Sequence, residues 1–436
     1  MISILFIVPK MSGPNGDFKV NSDWGSTILQ AVEHNKWKVI TPSLLVLAAI
    51  AENMGFEAHV VDEEFENTAW EASYDIVSFY TVTPNVKRAY EIARFFKEKG
   101  SYIVMGGVHA SLMQEEVSGY CDTLMVGEGE YIFAQFLNDF NKNTPKKKYV
   151  QECGKVQLKD SPIPAFHFLS KEEQKLIPIQ TARGCSHYCN FCNVRGLYGS
   201  GFRSKDKTQI KKELEMIKQL PYAKSIYVTD DNIMSTQEHF DEICEAFYQE
   251  GFTWYANTDI KFAENQNNIQ KAYDSGLRQV LIGFESVEAS QLLKMDKDNF
   301  KYTYFKHYKE YIERIQSYGI GITGSFIVGD LEDTENTFRY LEEFIYDVCL
   351  YGANITFMTP YPGTQLFVNM KRDNRIQTFD WNHYTIFQPV VLAKHLTIQQ
   401  VNNLYVNLME KINGDTFKIH KLEHFKNIYK KRKNGR

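Results

Sequence analysis

The stretch that decides the fold of this chain reads Thr181-Ala182-Arg183-Gly184-Cys185-Ser186-His187-Tyr188-Cys189-Asn190-Phe191-Cys192-Asn193. Three of the seven cysteines fall within it, with the spacing C-x3-C-x2-C. A short apolar run, Ile177 to Ala182, lies just before them and predicts a buried strand. The three thiols are therefore predicted to lie in a loop at the exit of a strand.

Thiols grouped this closely, in a chain without a recognisable secretion signal, favour a metal or an iron–sulfur cluster over a disulfide framework. A structural zinc ion is the first alternative. It needs four closed ligands, however, and the nearby fourth candidate is His187, inside the loop itself. An iron–sulfur cube usually takes four thiolates, so three leave one iron without a protein ligand. That open iron is a place for a second molecule to bind.

The loop resembles the cluster-binding loop of the radical S-adenosylmethionine superfamily, which has this spacing and an aromatic residue, here Phe191, just before the last cysteine. The resemblance implies a [4Fe-4S] cluster on Cys185, Cys189 and Cys192. It also implies that the amino and carboxylate groups of S-adenosylmethionine chelate the open iron. A structural zinc or a chance grouping of thiols is the alternative interpretation.

The length and composition are those of a globular protein with more than one domain. The 436 residues suggest two or three domains, and 43% hydrophobic with 24% charged residues allow a sizeable core. A net charge of -5 gives no general reason to expect nucleic-acid or acidic-membrane binding, and the basic tail from Tyr429 to Arg436 is interpreted as a solvated terminus.

No uninterrupted apolar run is long enough to span a membrane, and the opening residues Met1 to Pro9 are too short for the apolar region of a signal peptide. The protein is therefore expected in the cytoplasm, where thiols stay reduced. The remaining cysteines are scattered singly, as free buried cysteines are, at Cys121, Cys153, Cys244 and Cys349.

Strands and helices alternate from Met1 to about Phe140, which predicts a doubly wound parallel sheet. The expected strands are Ile2 to Val8, Phe56 to Val61, Asp75 to Tyr80, Tyr102 to Met105 and Thr123 to Val126. The expected helices are Pro42 to Gly55, Pro84 to Lys99, His109 to Val117 and Tyr131 to Phe140. Ligands of such sheets bind outside the carboxyl ends of the strands. That rule places Tyr80 to Thr83, Gly106 to His109 and Gly127 to Glu130 around one crevice.

A nicotinamide or flavin site is one alternative for this crevice, although no G-x-G-x-x-G follows the first strand. The arrangement instead resembles the cobalamin-binding domain that precedes one large group of radical S-adenosylmethionine enzymes. The matching elements are the helix with Leu44, Leu47 and Ala48, the turn Gly106-Gly107-Val108-His109-Ala110, and the strand end Val126-Gly127-Glu128-Gly129-Glu130.

The resemblance implies a set of cobalamin contacts: Tyr80, Thr81, Val82, Gly106, Gly107, His109, Gly127 and Glu128. No D-x-H-x-x-G occurs, so no histidine is marked as the lower ligand of cobalt. A domain that keeps this fold but has lost cobalamin is the alternative.

The expected domains are the cobalamin-binding domain at 1–141, a linker at 142–176, a radical domain at 177–370 and a mostly helical region at 371–436. Six strand–helix units predict a partial (β/α)6 barrel for the radical domain. Its expected strands are Ile177 to Ala182, Lys224 to Thr229, Phe252 to Asn257, Gln279 to Phe284, Ile320 to Val328 and Ala353 to Thr359.

Barrel chemistry gathers at the carboxyl ends of strands, and the residues there are polar. Carboxylates at such positions accept hydrogen bonds from an ammonium group or from ribose hydroxyls. The resemblance implies contacts to S-adenosylmethionine at Phe191, Asp230, Asp231, Glu285, Ser286 and Gly329. A helix N-cap is the simpler role for any single aspartate or serine.

We interpret the chain as a cobalamin-dependent radical S-adenosylmethionine enzyme, most simply a methyltransferase on an unactivated carbon of a small molecule. The resemblance implies two uses of S-adenosylmethionine, one to methylate cobalamin and one to generate a radical, and a reductant such as flavodoxin or ferredoxin. One alternative is a cyclisation, rearrangement or oxidation on the same scaffold. The other is a non-enzymatic sensor that uses the cluster and cobalamin domain.

Overall fold

The computed structural model describes residues 1–11, 28, 39–169 and 176–434. The loop predicted after the first strand and residues 170–175 of the predicted linker lie outside these ranges. Two six-stranded sheets organise the described chain. Every strand pair in both sheets is parallel. Among the described helices, none is long and apolar enough to cross a membrane.

The first sheet has the strand order β2-β1-β3-β4-β5-β6. Its strands are β1 (Ser3–Val8), β2 (Glu57–Asp62), β3 (Ile76–Tyr80), β4 (Tyr102–Gly106), β5 (Thr123–Val126) and β6 (Lys148–Val150). Five strands follow the prediction, and β6 comes from the segment predicted as a linker. The order reverses between β1 and β3, which is the switch point where doubly wound sheets open a crevice.

Helices cover both faces of this sheet: α1 (Pro42–Asn53), α2 (Val86–Glu98), α3 (Val108–Leu112), α4 (Gln114–Val117) and α5 (Gly129–Asn141). Helix α1 begins at Pro42, whose fixed φ and missing N–H suit a first turn, and Gly55 with φ of 83° follows its end. Helix α2 buries one face through Ala89, Ala93 and Phe96. The predicted doubly wound α/β domain is therefore confirmed.

The second sheet has the strand order β7-β10-β11-β12-β13-β14, so neighbours in sequence are neighbours in space. Its strands are β7 (Leu176–Ile179), β10 (Ser225–Val228), β11 (Thr253–Thr258), β12 (Leu277–Glu285), β13 (Gly321–Val328) and β14 (Gly352–Phe357). Strands β8 (Ala182–Arg183) and β9 (Arg203–Ser204) form a separate antiparallel pair. Sequential parallel strands with intervening helices confirm the predicted partial barrel.

The helices of the second half are α6 (Val194–Tyr198), α7 (Lys207–Ile217), α8 (Gln237–Phe247), α9 (Gln266–Asp274), α10 (Ala289–Met295), α11 (Phe300–Phe305), α12 (Tyr308–Ser317), α13 (Glu335–Val348), α14 (Gln365–Arg372), α15 (Ile398–Asn413) and α16 (Asp415–Asn434). Short 3-10 helices lie at Thr83–Asn85, Leu158–Asp160, Phe166–Phe168, Ile260–Glu264 and Trp381–His383. The predicted helical C-terminal region is confirmed by α15 and α16.

The two halves share one hydrophobic cluster, which contains residues of the first sheet together with residues from the end of the barrel. Trp381 is its anchor from the C-terminal region. The indole Nε1 donates to Glu116 at 3.0 Å, and the ring meets His109 edge-on at 5.4 Å between centroids. The neighbouring Asp380 pairs with Lys87 at 2.8 Å. The C-terminal region therefore ties the first domain to the barrel.

We predict that Trp381→Ala lowers the free energy of unfolding by about 3–5 kcal/mol, because the indole is buried and fills the interface between the two halves. Urea unfolding followed by circular dichroism measures the loss. Trp381→Phe removes the N–H donor to Glu116 and part of the ring volume but keeps an aromatic ring, so it should cost less than Trp381→Ala. Phe379→Ala is the control, since Phe379 is half exposed, and an equal loss there would contradict the prediction.

Candidate active site

The cysteine loop leaves the carboxyl end of the barrel between β8 and β9 and is held there by backbone hydrogen bonds. Asn190 N–H donates to Met295 O at 2.9 Å, and Lys297 N–H donates to Tyr188 O at 3.2 Å. Cys189 also forms an isolated antiparallel bridge with Asp296. The loop is therefore fixed against the segment that follows β12, which places its thiols beside that strand's end.

The three thiols lie close enough to influence one another. Burial raises the pKa of Cys189 to about 12, and the charge of Cys192 adds to the shift. Burial likewise raises the pKa of Cys192 to about 11, with a contribution from Cys185. In the described ranges, no three Cys, His, Asp or Glu side chains converge as ligands of a single metal ion would. A cube takes each thiolate on a different iron, so it needs no such convergence.

His187, the fourth ligand of the zinc alternative, is engaged elsewhere. Its Nε2 lies 2.8 Å from Asp259 Oδ2, and its ring packs on Phe300 with centroids 4.0 Å apart. Asn232 Nδ2 donates to the same Asp259 oxygen at 2.8 Å. The histidine therefore supports the loop from the side of β11.

The two aspartates after β10 differ in what they face. Both carboxylate oxygens of Asp230 are used: one accepts from the N–H groups of Thr181 and Ala182 at 2.6 and 2.9 Å, the other from the Thr181 hydroxyl at 2.5 Å. Asp230 thus holds the strand exit that precedes the cysteines. Asp231 accepts only the Gly184 N–H at 3.0 Å, and burial raises its pKa to about 6. Asp231 is the aspartate with acceptor capacity left for a ligand.

Glu285 ends β12 in a left-handed conformation, with φ of 65°, at an irregularity in the pairing with β13. Such bulges re-aim a side chain at the end of a strand. Its Oε1 accepts from the buried ammonium of Lys301 at 3.1 Å, and Lys301 also donates to Gly283 O at 2.6 Å. The carboxylate is close enough to Cys189 and Cys192 to raise their pKa values.

Ser286 and Gly329, both predicted contacts of S-adenosylmethionine, are linked by residues that the sequence did not single out. The Ser286 hydroxyl donates to Gln291 Oε1 at 2.7 Å, and Gln291 Nε2 donates to Asp333 Oδ1 at 2.6 Å. Asp333 Oδ2 accepts the Gly329 N–H at 2.7 Å. Asp333 therefore joins the carboxyl ends of β12 and β13. An aspartate four residues after a glycine carries no distinguishing sequence signal.

Phe191, the aromatic residue of the cysteine loop, is half-buried and packs against the hydrophobic cluster shared by the two halves. That placement leaves its predicted contact with S-adenosylmethionine as a proposal.

A cavity opens at the carboxyl ends of the first sheet and reaches the cysteine loop. Five of the eight predicted cobalamin contacts line it: Tyr80, Gly106, Gly107, Gly127 and Glu128. Its far wall comes from the second half of the chain: Arg183, Leu197 and Tyr198. The cavity therefore lies between the first sheet and the segments on either side of the cysteine loop.

The other three predicted contacts, Thr81, Val82 and His109, do not line this cavity. Thr81 is buried and donates its hydroxyl to Gly106 O at 2.8 Å, while Val82 N–H donates to Asn85. His109 is fully buried, with Nδ1 3.1 Å from the Thr83 hydroxyl and Nε2 3.7 Å from Glu116. These residues shape the turn behind the cavity. They were predicted as cobalamin contacts because the sequence pattern does not reveal which way each side chain points.

Gly107 shows why glycine is needed in this turn. Its φ is 99°, and a Cβ atom there would lie 2.6 Å from Thr81 O. Any side chain would force the ends of β3 and β4 apart.

Two arginines and two glutamates form a buried ion-pair cluster between the halves, consisting of Glu128, Glu130, Arg183 and Arg203. Arg183 Nη1 donates to Glu128 at 2.8 Å and Nη2 lies 2.6 Å from Glu130. Arg203, directly opposite Arg183 in the β8–β9 ladder, donates to Glu128 at 2.9 Å. Like charges opposite one another repel, so the glutamates are required here.

The charges of the ion-pair cluster stabilise one another against burial. Burial alone would raise the pKa of Glu130, yet the Arg183 guanidinium holds that pKa below its usual value. Burial alone would lower the pKa of Arg183, but Glu130 raises it. Glu128 is thus both a wall of the cavity and the shared partner of two arginines.

Comparison with known families agrees with this division of the chain. The family model of the B12 binding domain matches residues 29–137, and that of the radical SAM superfamily matches residues 179–345. The first match contains β2 to β5 of the first sheet, and the second contains the barrel from the end of β7 to β13.

Two curated relatives and one solved structure illustrate the likeness. Bacteriochlorophyllide d C-12(1)-methyltransferase of Chlorobaculum tepidum is 27% identical over 86% of this chain and 83% of its own length. The anaerobic magnesium-protoporphyrin IX monomethyl ester cyclase of Cereibacter sphaeroides is 24% identical over 78% and 60%. The cobalamin-dependent S-adenosylmethionine radical enzyme OxsB with aqua-cobalamin bound superposes with a TM-score of 0.68 at 15% identity, covering 93% of this chain and 66% of that one.

The cysteine loop at the mouth of a partial barrel defines a radical S-adenosylmethionine enzyme. With the B12-binding domain in front of that barrel, the chain belongs to the cobalamin-binding radical S-adenosylmethionine enzyme family. The family implies a [4Fe-4S] cluster, S-adenosylmethionine and cobalamin.

The residues of the site fit these groups. Three neighbouring thiols are the soft ligands that an iron–sulfur cluster takes. The cavity is lined at the strand ends by small residues, which leave room for a bulky ligand to approach the backbone: Ser43, Ser78, Gly106, Gly107, Ser111, Gly127 and Gly129.

We predict that Arg183→Met lowers the free energy of unfolding of the cofactor-free protein by about 3–5 kcal/mol, because Glu130 is left buried without its ion-pair partner and Glu128 keeps only Arg203. Urea unfolding measures it. The double variant R183M/E130Q should recover part of the loss, since the uncompensated carboxylate of Glu130 is gone while Glu128 still pairs with Arg203. The control is Arg339→Met, whose ion pair with Glu343 is exposed and should contribute no more than about 0.5 kcal/mol. Equal losses of stability in Arg183→Met and Arg339→Met would refute the stabilising role of the buried ion-pair cluster.

Proposed function

We propose that this protein is a cobalamin-dependent radical S-adenosylmethionine methyltransferase that acts on an unactivated carbon of a small molecule. One observation carries the proposal: the cavity of the B12-binding domain is closed on its far side by Arg183, Leu197 and Tyr198, which flank the cysteine loop. A substrate held between this cavity and the cysteine loop would have both cofactor sites within reach, so hydrogen abstraction and methyl delivery can act on the same carbon.

The chain's own residues hold and orient the reacting groups. Cys185, Cys189 and Cys192 would bind the cluster, while Asp231 and Glu285 would accept hydrogen bonds from S-adenosylmethionine. The bound groups supply homolytic cleavage of S-adenosylmethionine and a transferable methyl group. Lys301 keeps the Glu285 side chain oriented through its 3.1 Å contact.

Other residues fix the loops and keep water out. Asp230 and Asp333 satisfy the backbone N–H groups at the strand ends, so those loops do not need to reorganise when ligands bind. Tyr198 and Leu197 cover the cavity with apolar surface. We also propose a cytoplasmic location, because a thiol loop of this kind has to stay reduced to bind its cluster, and a low-potential electron donor such as flavodoxin or ferredoxin, because cleavage of S-adenosylmethionine to a radical consumes an electron.

The relatives support methyl transfer and define the alternative. Of the two curated relatives described above, the methyltransferase matches 86% of this chain and the cyclase 78%. A cyclase reaction on this scaffold would need no methyl transfer. The products of S-adenosylmethionine therefore separate the two candidates.

We predict that the reconstituted enzyme, given its substrate and a low-potential reductant, forms S-adenosylhomocysteine and 5′-deoxyadenosine in comparable amounts. A panel of small molecules that begins with bacteriochlorophyllide d tests this, with methyl-deuterated S-adenosylmethionine and mass spectrometry of the product. Cys192→Ala should lose the iron and 5′-deoxyadenosine together, because the cluster loses a ligand. A product without label, formed with 5′-deoxyadenosine alone, would assign the protein to the cyclase reaction.

We predict further that bound cob(II)alamin shows no nitrogen splitting from a protein ligand in its electron paramagnetic resonance spectrum. His109, the histidine nearest the glycine turn, is buried against Thr83, Glu116 and Trp381 and does not line the cavity. His109→Gln should leave the spectrum unchanged. A triplet splitting that disappears in this variant would show instead that His109 turns to the cobalt.

A further inference from the structure

The C-terminal helix α16 is docked on the barrel by one face. Phe417 is buried and packs on Tyr346 with ring centroids 4.6 Å apart, and the Arg432 guanidinium lies 4.1 Å from the ring centroid of Tyr273. Lys421 Nζ donates to Tyr351 O at 2.9 Å. These contacts extend along most of the helix, so the direction of its opposite face is fixed.

From Lys418 onward, that opposite face consists of lysine and large apolar residues over about one-third of the helix circumference. We name it the outer stripe, and all of its members are exposed: Lys418, Ile419, Leu422, Lys426, Tyr429, Lys430 and Lys433. The apolar members are unusually open, with Ile419 58%, Leu422 70% and Tyr429 69% exposed. Lysines between exposed apolar side chains allow one face to meet an anionic membrane surface, because the long lysine side chains reach the headgroups while the apolar ones enter the interface.

The helix concentrates positive charge in a chain that is negative as a whole. It carries seven Lys and Arg residues against Asp415 and Glu423, in a protein of net charge -5. Of the two acids, Asp415 lies at the first turn within 3.7 Å of Lys418, and Glu423 lies at the margin of the outer stripe. The whole-chain balance hides this local segregation, and the complementary surface must be anionic.

We propose that the outer stripe docks the enzyme on an anionic lipid surface. Lysines attract the headgroups, while Ile419, Leu422 and Tyr429 insert between the acyl chains. A second copy of the chain does not fit, because a symmetric contact would bring two positive stripes together. Nucleic acid would satisfy the lysines but not the two aliphatic side chains.

The position of α16 also separates it from the route of electrons to the cysteines. Its contacts, Ser317 and Tyr351, come just before β13 and β14, at the amino ends of the barrel strands. The cysteine loop leaves the opposite, carboxyl end. A protein that donates electrons must approach the carboxyl end, so the outer stripe serves attachment rather than reduction.

The test is co-sedimentation of the full-length enzyme with vesicles of phosphatidylcholine alone, or with about one-third phosphatidylglycerol. We expect binding at least about tenfold tighter to the anionic vesicles, weakened by added salt. K426Q/K430Q should lose roughly 30-fold in affinity, at about one kilocalorie for each surface lysine. The matched control K211Q/K212Q removes the same charge from an exposed pair on α7 and should change binding less than twofold.

A second variant tests the apolar half of the outer stripe. I419S/L422S keeps every lysine. It should bind the anionic vesicles more weakly than the unaltered enzyme, and this difference should remain at salt concentrations that screen the charges. The unfolding midpoint of each variant confirms that the fold is intact. Equal binding to both kinds of vesicle, or equal loss in the α7 control, would overturn the proposal. Release of the enzyme from the vesicles by duplex DNA at a matched phosphate concentration would also overturn the proposal.

Discussion

The arrangement of the whole protein depends on a cluster of four charged side chains that are almost completely shielded from solvent. Arg183 and Arg203 face one another across a two-residue ladder, and only the carboxylates of Glu128 and Glu130 offset their repulsion. Removing one of these side chains would leave its partner buried and unpaired, which is far more costly than losing an exposed ion pair. Because Arg183 lies two residues before Cys185, the same contacts set the distance between the cysteine loop and the crevice of the first sheet.

The fold followed from the sequence because each strand and helix has its own local signal. Buried parallel strands are short apolar runs, and glycine or proline marks the helix ends, so all strands of the two sheets but β6 were predicted. Strand β6 is three residues long and follows a lysine run. Its sequence is typical of a surface loop. Its pairing with β5 depends on contacts with a distant part of the chain, which the local sequence pattern does not reveal.

The candidate site was predictable where the backbone decides it and unpredictable where side-chain direction decides it. Cysteine spacing and strand-end glycines place the loops, and those residues lie where expected. Whether Asp230 faces a ligand or the backbone of Thr181 depends on the torsion angles of its side chain, which a single sequence does not reveal. The same holds for His109. Arg183, Lys301 and Asp333 act through partners remote in the chain, and charged residues are too common for a sequence to single them out.

Trp381 contacts Glu116 across 265 positions of sequence, and this separation has a consequence for synthesis on the ribosome. Domains fold in the order in which they emerge, so the first sheet is complete long before residue 381 appears. When that sheet first forms, its crevice lacks the wall made by Arg183, Leu197 and Tyr198, and the indole that contacts Glu116 is added last. The nascent chain thus passes through a stage in which a ligand as large as a corrinoid has an unobstructed entrance, and completion of the polypeptide narrows that entrance.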